Sequence, residues 1–283
     1  MHGIWKAIGS FVRRADMVLL SLCIAASVFG IVVISSATNV KGSAQFVRTQ
    51  TLALILGVIL YVVFTLIDVD IIAERRELLL IFSAIFILLL FPFGDTRSGN
   101  RSWLWFLGAG AVLLVASPFL WQFLSYDRRG RIWVLFDPRI DPLAQDQRYQ
   151  MNRSLRALQN GGVTGQGLYH GTMVQSGSIP AQHTDLIFSS IGEELGMLGC
   201  MAVLILLTAI IIRIIHVGIK SGNNMNRLIC VGIAGMLTAQ VFINIGVCIG
   251  LVPVIGLTLP FFSYGGSSLV TMFFAMGIVS GIN

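Results

Sequence analysis

Two stretches of this sequence combine residue types that can do chemistry. In the first, Pro180-Ala-Gln-His-Thr-Asp-Leu-Ile-Phe188, an imidazole (His183) and a carboxylate (Asp185) stand two residues apart, and Gly192-Glu-Glu-Leu-Gly196 follows with Glu193 and Glu194. A carboxylate at the edge of apolar sequence is costly and tends to be functional. It can shuttle protons, bind a cation, or act as a general base toward a sugar or phosphate substrate. It can equally be the N-cap or a first-turn residue of a helix, where the macrodipole favours an anion. A helix starting near Asp185 would put Asp185 and Ser189 on one face at i,i+4.

The second stretch is Leu251-Val-Pro-Val-Ile-Gly-Leu-Thr-Leu-Pro-Phe-Phe-Ser-Tyr-Gly-Gly-Ser-Ser268. Pro253, Pro260, Gly265 and Gly266 break the backbone within apolar sequence. Such backbone is tolerated at membrane depth only if it is buried in protein or lines a wet cavity. Ser263, Tyr264, Ser267 and Ser268 supply hydroxyls there. Two readings stand side by side: a re-entrant turn with structural hydroxyls, or a polar pocket for a ligand headgroup.

Other chemistries lack their signatures. No G-x-S-x-G or H-E-x-x-H pattern occurs. Gly161 to Gly167 is glycine-rich but lacks the Lys-Ser/Thr of a phosphate-binding loop. His170, His183 and His216 are too scattered for a metal triad, and His216 reads as an interfacial residue. Cys23, Cys200, Cys230 and Cys248 fall inside apolar runs without a C-x-x-C pair, which predicts buried free thiols.

The elements that must position these residues follow from composition. The 283-residue chain is 55% hydrophobic and 11% charged, against about 25% charged in soluble domains. A chain this apolar cannot cover its surface with polar groups in water, which excludes soluble, disordered, collagenous and disulfide-stapled classes. The net charge of +6 comes from short Lys/Arg clusters between apolar runs, where topology or anionic membrane lipid accounts for it. No basic face with interleaved aromatics points to nucleic acid.

A span needs about 20 mostly apolar residues. Uncharged runs predict seven spans, near residues 17–40, 51–67, 78–93, 103–124, 195–212, 228–252 and 261–282. They form a single membrane domain over 1–283, with one large polar loop at 125–185. The fold class is all-α, a polytopic helical membrane protein. The first run is longer than a signal-peptide core and reads as a retained signal-anchor. Continuous apolar runs exclude a β-barrel, whose strands alternate. With the N-terminus inside, seven alternating spans leave Lys6, Arg13, Arg14, Arg75 and Arg76 inside and Lys41, Arg48, Arg97, Arg101, Arg213, Lys220 and Arg227 outside. That split gives no clean orientation.

Both motifs resemble the SEDS proteins (shape, elongation, division and sporulation), represented by RodA, FtsW and SpoVE. The C-terminal signature runs from Asn244 through Gly250, Pro253, Gly256 and Leu257 to Phe261-Phe-Ser-Tyr-Gly-Gly-Ser-Ser268. His183-Thr-Asp-Leu-Ile-Phe188 with Gly192-Glu-Glu-Leu-Gly196 is a second match. Asp137-Pro-Arg-Ile-Asp-Pro142 with Gln150 to Gly167 is a third, and Gln45-Phe-Val-Arg-Thr-Gln50 also fits. The resemblance implies a peptidoglycan glycosyltransferase of the bacterial cytoplasmic membrane. Such an enzyme polymerises lipid II, an undecaprenyl-linked disaccharide-pentapeptide, into glycan strands for elongation, division or sporulation. Its implied partner is a class B penicillin-binding protein.

The resemblance further implies Asp185 as the essential catalytic residue, with His183, Thr184, Ser263, Tyr264, Gly265, Gly266, Ser267 and Ser268 lining the substrate site. A divalent cation (Mg or Mn) is an implied cofactor, with Asp185 as a candidate ligand. Arg148, Arg153 and Arg156 are candidates for the leaving pyrophosphate, beside a plainer role as a solvated loop face. The family has ten spans, and its Gln-Pro-Ser-Glu and Gln-Pro-Asp-Leu-Gly-Thr segments are absent here. Loss of three spans would place the large loop and Asp185 on the same side as the N-terminus. Two alternatives to polymerisation are a lipid II flippase and a non-catalytic membrane partner of a penicillin-binding protein.

Overall fold

Long uncharged runs become helices in the computed structural model, which describes residues 15–39, 42–66 and 149–282. The spans expected near 78–93 and 103–124, and the first part of the large loop, lie outside the described residues. All regular structure among the described residues is helical: α1 (Met17–Ala37), α2 (Ser43–Leu66), α3 (Tyr149–Gly161), α4 (Thr172–Gln175), α5 (Ile187–Lys220), α6 (Asn224–Cys248) and α7 (Gly266–Ile282). Four of these, α1, α2, α5 and α6, are long and apolar enough to cross a membrane, and α7 is a shorter apolar helix.

Helix boundaries depart from the uncharged runs where a charge or amide is satisfied inside the protein. The span expected at 195–212 belongs to a 34-residue helix, α5. A run cut at charged residues stops at Glu193 and Glu194 on one side and at Arg213 on the other. Both carboxylates are buried and hydrogen-bonded, and Arg213 is ion-paired. Likewise α2 starts at Ser43 rather than Thr51, taking Arg48 and Gln50 into its first turns. The last span, expected from residue 261, starts as helix only at Gly266.

The helices meet through small residues, as apolar helices must when no hydrophobic force separates them from lipid. Parallel α2 and α7 approach closely. A Cβ on Gly277 would sit 2.9 Å from Tyr61 Cα, and one on Gly57 would sit 2.9 Å from the Phe273 ring. α5 and α6 form an antiparallel hairpin over Ser221 to Asn223, where Asn223 caps α6 through a 3.0 Å bond from the Met225 N–H.

Asp16 ties down one end of the bundle. Its Oδ1 caps α1 by accepting from the Leu19 N–H (3.0 Å), its Oδ2 accepts from Arg213 Nε (2.7 Å), its N–H donates to Ser280 Oγ (2.9 Å), and its carbonyl accepts from the Tyr61 hydroxyl (2.9 Å). One buried residue thus joins α1, α2, α5 and α7. At the other end of α1, about 30 Å away at the helical rise, Gln182 Nε2 donates to the Ala37 carbonyl (2.6 Å). Asp16 and the turn carrying Asp185 therefore lie at opposite ends of α1. This corrects the same-side placement expected from seven alternating spans. Alternation counts segments along the sequence, whereas these hydrogen bonds relate the two ends directly.

The glycine-rich run has a backbone role. Gly196 (φ 65°, ψ −163°) breaks the helical geometry inside α5. The freed groups pair with the run: Gln166 and Gly167 N–H donate to the Glu193 and Glu194 carbonyls (both 2.9 Å), and Met197 N–H donates to the Gly162 carbonyl (3.0 Å). A Cβ on Gly165 would lie 2.2 Å from the Glu194 carbonyl oxygen, so only glycine allows this approach.

The Asp16–Arg213 pair gives an ordered prediction. Arg213→Ala leaves a buried carboxylate without its cation and should lower stability by about 3 kcal/mol. Asp16→Asn keeps an N-cap and leaves Arg213, 26% exposed, able to reach water; it should lower stability by about 1 kcal/mol. Thermal unfolding midpoints of the two purified variants check the order, and the reverse order would refute it.

Candidate functional site

The chain enters α5 through a tight turn. Thr184 and Leu186 N–H both donate to the Ala181 carbonyl (3.0 and 3.2 Å). Gln182 anchors the turn to α1 and, through the Val174 carbonyl (3.1 Å), to α4. Ser190 Oγ closes it by donating to the Gln182 carbonyl (3.0 Å). The residue at the N-cap of α5 is Leu186, with no side-chain capping bond. Asp185 precedes it, so the capping alternative for Asp185 does not hold. Nor does Asp185 share a helical face with Ser189, whose hydroxyl pairs instead with Ser154 on α3.

The structure brings the two motifs together through the turn's backbone. Three successive carbonyls are held: His183 O accepts from the Tyr264 N–H (2.8 Å), Thr184 O from Ser263 Oγ (2.6 Å), and Asp185 O from Asn244 Nδ2 (2.9 Å). Ser263 Oγ also accepts from the Leu259 N–H (2.7 Å). Asn244 Nδ2 also donates to the Leu257 carbonyl (2.6 Å). Gln50 on α2 clamps the same segment, donating to the Ser263 carbonyl (3.1 Å) and accepting from the Gly265 N–H (3.2 Å). The rings of Phe46, His183 and Tyr264 pack against one another, with centroids 5.1–5.8 Å apart.

Asp185 is half-buried, and its Oδ2 lies 3.8 Å from where a Cβ on Gly256 would sit. Burial pushes its carboxyl pKa above the ordinary aspartate value, because desolvation disfavours the charged form. The other expected site residues divide. Ser263 is a buried structural hydroxyl. Gly265 is bound by Gln50, and Gly266 opens α7 against Ala53 and Thr49. Ser268 Oγ reaches Thr258 Oγ1 at 3.3 Å. Thr184 Oγ1 donates to Ala181 O within its own turn (3.2 Å), and Ser267 is exposed.

Glu193 and Glu194 serve the loop. Glu193 accepts from the Met173 and Val174 N–H groups (2.8 Å each), holding α4, and Glu194 Oε1 accepts from Ser36 Oγ (2.7 Å) and Gln175 Nε2 (2.9 Å). On α3, Arg153 lies over the Tyr149 ring (5.1 Å) and Arg156 is exposed; Arg148 lies outside the described residues. Among the described residues, no three His, Cys, Asp or Glu side chains converge as metal ligands. Gln50 and Asn244, marked in the sequence only as ends of the matching motifs and given no role there, hold the site's backbone. Their signal was present in the sequence: a lone amide within an apolar run.

The arrangement defines a class: a polytopic membrane protein whose mouth holds a half-buried carboxylate on a rigid, fully bonded turn. The FtsW/RodA/SpoVE family model, described as cell cycle protein, matches residues 104–283, and the chain belongs to that family. It is similar to the peptidoglycan glycosyltransferase MrdB of Escherichia coli K12, 39% identical over 182 residues, covering 63% of this chain and 49% of that one. It is also similar to the probable peptidoglycan glycosyltransferase FtsW of Bacillus subtilis, 38% identical over 180 residues, covering 62% of this chain and 43% of that one. The chain thus spans about half the length of these relatives. Among solved structures it resembles the rod shape determining protein RodA of Thermus thermophilus (27% identity, TM-score 0.61, covering 95% of this chain and 96% of that one). The fold also matches a chain from the structure titled as the coordination of polymerization and crosslinking by a peptidoglycan synthase complex (23% identity, TM-score 0.70, covering 94% and 96%).

The two serines of the C-terminal signature should separate on mutation. Ser263→Ala removes a buried hydroxyl that both donates and accepts, and should destabilise by about 2 kcal/mol. Ser267→Ala should stay within about 0.5 kcal/mol of wild type. Thermal unfolding of both purified variants tests this contrast.

Proposed function

We propose that the chain polymerises lipid II as a peptidoglycan glycosyltransferase, with Asp185 as general base. The observation that carries this reading is the clasp on the His183, Thr184 and Asp185 carbonyls, which holds one carboxylate at the mouth of an apolar bundle. In the reaction the 4-hydroxyl of an acceptor sugar attacks the anomeric carbon of a lipid-linked donor. Asp185 takes the hydroxyl proton as the new glycosidic bond forms. The bond from the anomeric carbon to the pyrophosphate oxygen breaks, and the polyprenyl pyrophosphate leaves with the electron pair. A pre-positioned base in a partly desolvated site is suited to this step, since desolvation makes a carboxylate more basic. Arg153 and Arg156 on α3, with Arg48 on α2, are described cations that could serve the pyrophosphate. The ion-paired Arg213 belongs to the other end of the bundle.

An apolar bundle with a polar mouth matches a substrate whose tail stays in lipid while its headgroup meets the turn. Charge supports an orientation. Arg213, Lys220 and Arg227 flank the α5–α6 connection at the Asp16 end, and Lys6, Arg13 and Arg14 precede Asp16 in sequence. Lys41 and Arg48 flank the opposite connection. With the large loop and its seven arginines set aside as near the length limit of the positive-inside rule, these short connections favour the Asp16 end in the cytoplasm and Asp185 at the outer face. The likeness to a chain from a synthase complex that coordinates polymerization and crosslinking supports a class B penicillin-binding protein as partner.

The test is glycan synthesis from labelled lipid II by purified protein with Mg or Mn, with and without that partner. Asp185→Ala should lower the rate by about 10²–10⁴-fold; long glycan from the variant at the wild-type rate would refute the assignment. The base works only when ionised, and its pKa is raised. Activity should therefore fall on acidification at a pH above that of an exposed aspartate, about 4. A pH–rate profile with no acid limb above that value would refute the role.

A further inference from the structure

We infer that Asn244 is a positioning residue for this site, its carboxamide binding the backbone on both sides of the Asp185 carboxylate and so setting where that carboxylate sits. The inference rests on the glycosyltransferase reading above and names a residue that serves it without touching substrate. Asn244 lies on α6 at the start of the C-terminal signature, 59 residues from Asp185 in sequence, and is 1% exposed. Its Nδ2 donates to the Asp185 carbonyl at 2.9 Å and to the Leu257 carbonyl at 2.6 Å. Both facing atoms are carbonyl oxygens, which only accept, so the amide orientation is dictated.

The two acceptors belong to different segments. One is the residue that carries the carboxylate. The other adjoins Gly256, the residue whose Cα faces Asp185 Oδ2. One NH2 group therefore joins the base's backbone to the segment beside it, where a Cβ on Gly256 would lie 3.8 Å from Asp185 Oδ2. Gly256 adopts φ +84° there, a left-handed backbone that suits glycine. Tyr264 and Ser263 hold the two preceding carbonyls, but among the described residues only Asn244 bonds both Asp185 and the Gly256 segment. Cys248 Sγ, at 3.8 Å from the Asp185 carbonyl, is a weak donor by comparison. Asn244 Oδ1 is buried and accepts from nothing among the described residues. A buried acceptor left unpaired is unfavourable. The amide's place here is accounted for by its two donated hydrogens.

The experiment compares wild type, Asp185→Ala and Asn244→Leu for polymerisation of labelled lipid II, and adds hydrogen exchange by mass spectrometry. Leucine fills similar space and donates nothing. If Asn244 positions the base, kcat should fall about 10–100-fold, the loss expected from an ångström-scale misplacement, while KM changes by less than about twofold because substrate binding is untouched. An unchanged kcat, or a change confined to KM, overturns the inference. If wild type is active and Asp185→Ala is not, the glycosyltransferase reading stands and the Asn244 result is read independently of it. If wild type makes no glycan, that reading fails and exchange decides the clasp alone. Faster exchange confined to 182–187 and 254–259 supports it, and exchange equal to wild type overturns it. Should the leucine variant not purify as folded protein, Asn244→Ser, too short to bridge both carbonyls, carries the same comparison.

Discussion

Three carbonyl oxygens in a row, on His183, Thr184 and Asp185, have no helical or sheet partners of their own. Each is taken by a donor from another part of the chain: a backbone N–H at Tyr264, a hydroxyl at Ser263 and an amide at Asn244. Irregular backbone at the edge of an apolar bundle must be satisfied internally, because lipid offers no hydrogen bonds and an unpaired buried group costs several kcal/mol. The requirement binds both partners. The turn before α5 cannot keep its shape without the segment before α7, and that segment, interrupted by Pro253 and Pro260, cannot be buried without the turn. Everything proposed for Asp185 depends on this exchange, since it makes the carboxylate a placed group.

The helix α5 carries the consequence through the molecule. It begins at the turn, holds α4 and the end of α1 through Glu193 and Glu194, breaks at Gly196 against the glycine-rich run, and reaches Asp16 through Arg213. Each contact removes a charge or an unpaired backbone group from an apolar setting. The low local dielectric strengthens such bonds and makes their loss expensive. The same residues that interrupt the hydropathy pattern of α5 are those that connect it to its neighbours.

For function, the arrangement separates two demands. A lipid-linked substrate needs an apolar bundle beside a polar mouth, which the apolar helices supply. The proposed glycosyl transfer would need a base held at a fixed place, and the turn holds one half-buried carboxylate, with its pKa raised by burial. The chain spans about half the length of the relatives it matches. The turn, the C-terminal segment and the α2 amide that clamps it all lie in the described part of the chain.

The sequence alone determined the class. Hydropathy is summed along the chain, so an all-α membrane protein and its long apolar helices could be read without coordinates. Residue type and spacing marked His183-Thr-Asp185 and the Ser263–Ser268 segment, because carboxylates and broken backbone are conspicuous in apolar sequence. What only the tertiary structure decided was pairing. Glu193 and Glu194 looked like candidate acids and are loop anchors. The glycine run, which lacked a phosphate-binding signature, docks against α5. Asn244 and Gln50 stood in the matching motifs without a role; Asn244 bonds the Asp185 turn to the C-terminal segment, and Gln50 clamps that segment. Hydrogen bonds place Asp16 and the Asp185 turn at opposite ends of α1, a relation that span counting left open. The physical reason is the same in each case: a hydrogen bond is defined by its partner, and Asn244 finds Asp185 across 59 residues of chain that no local pattern spans.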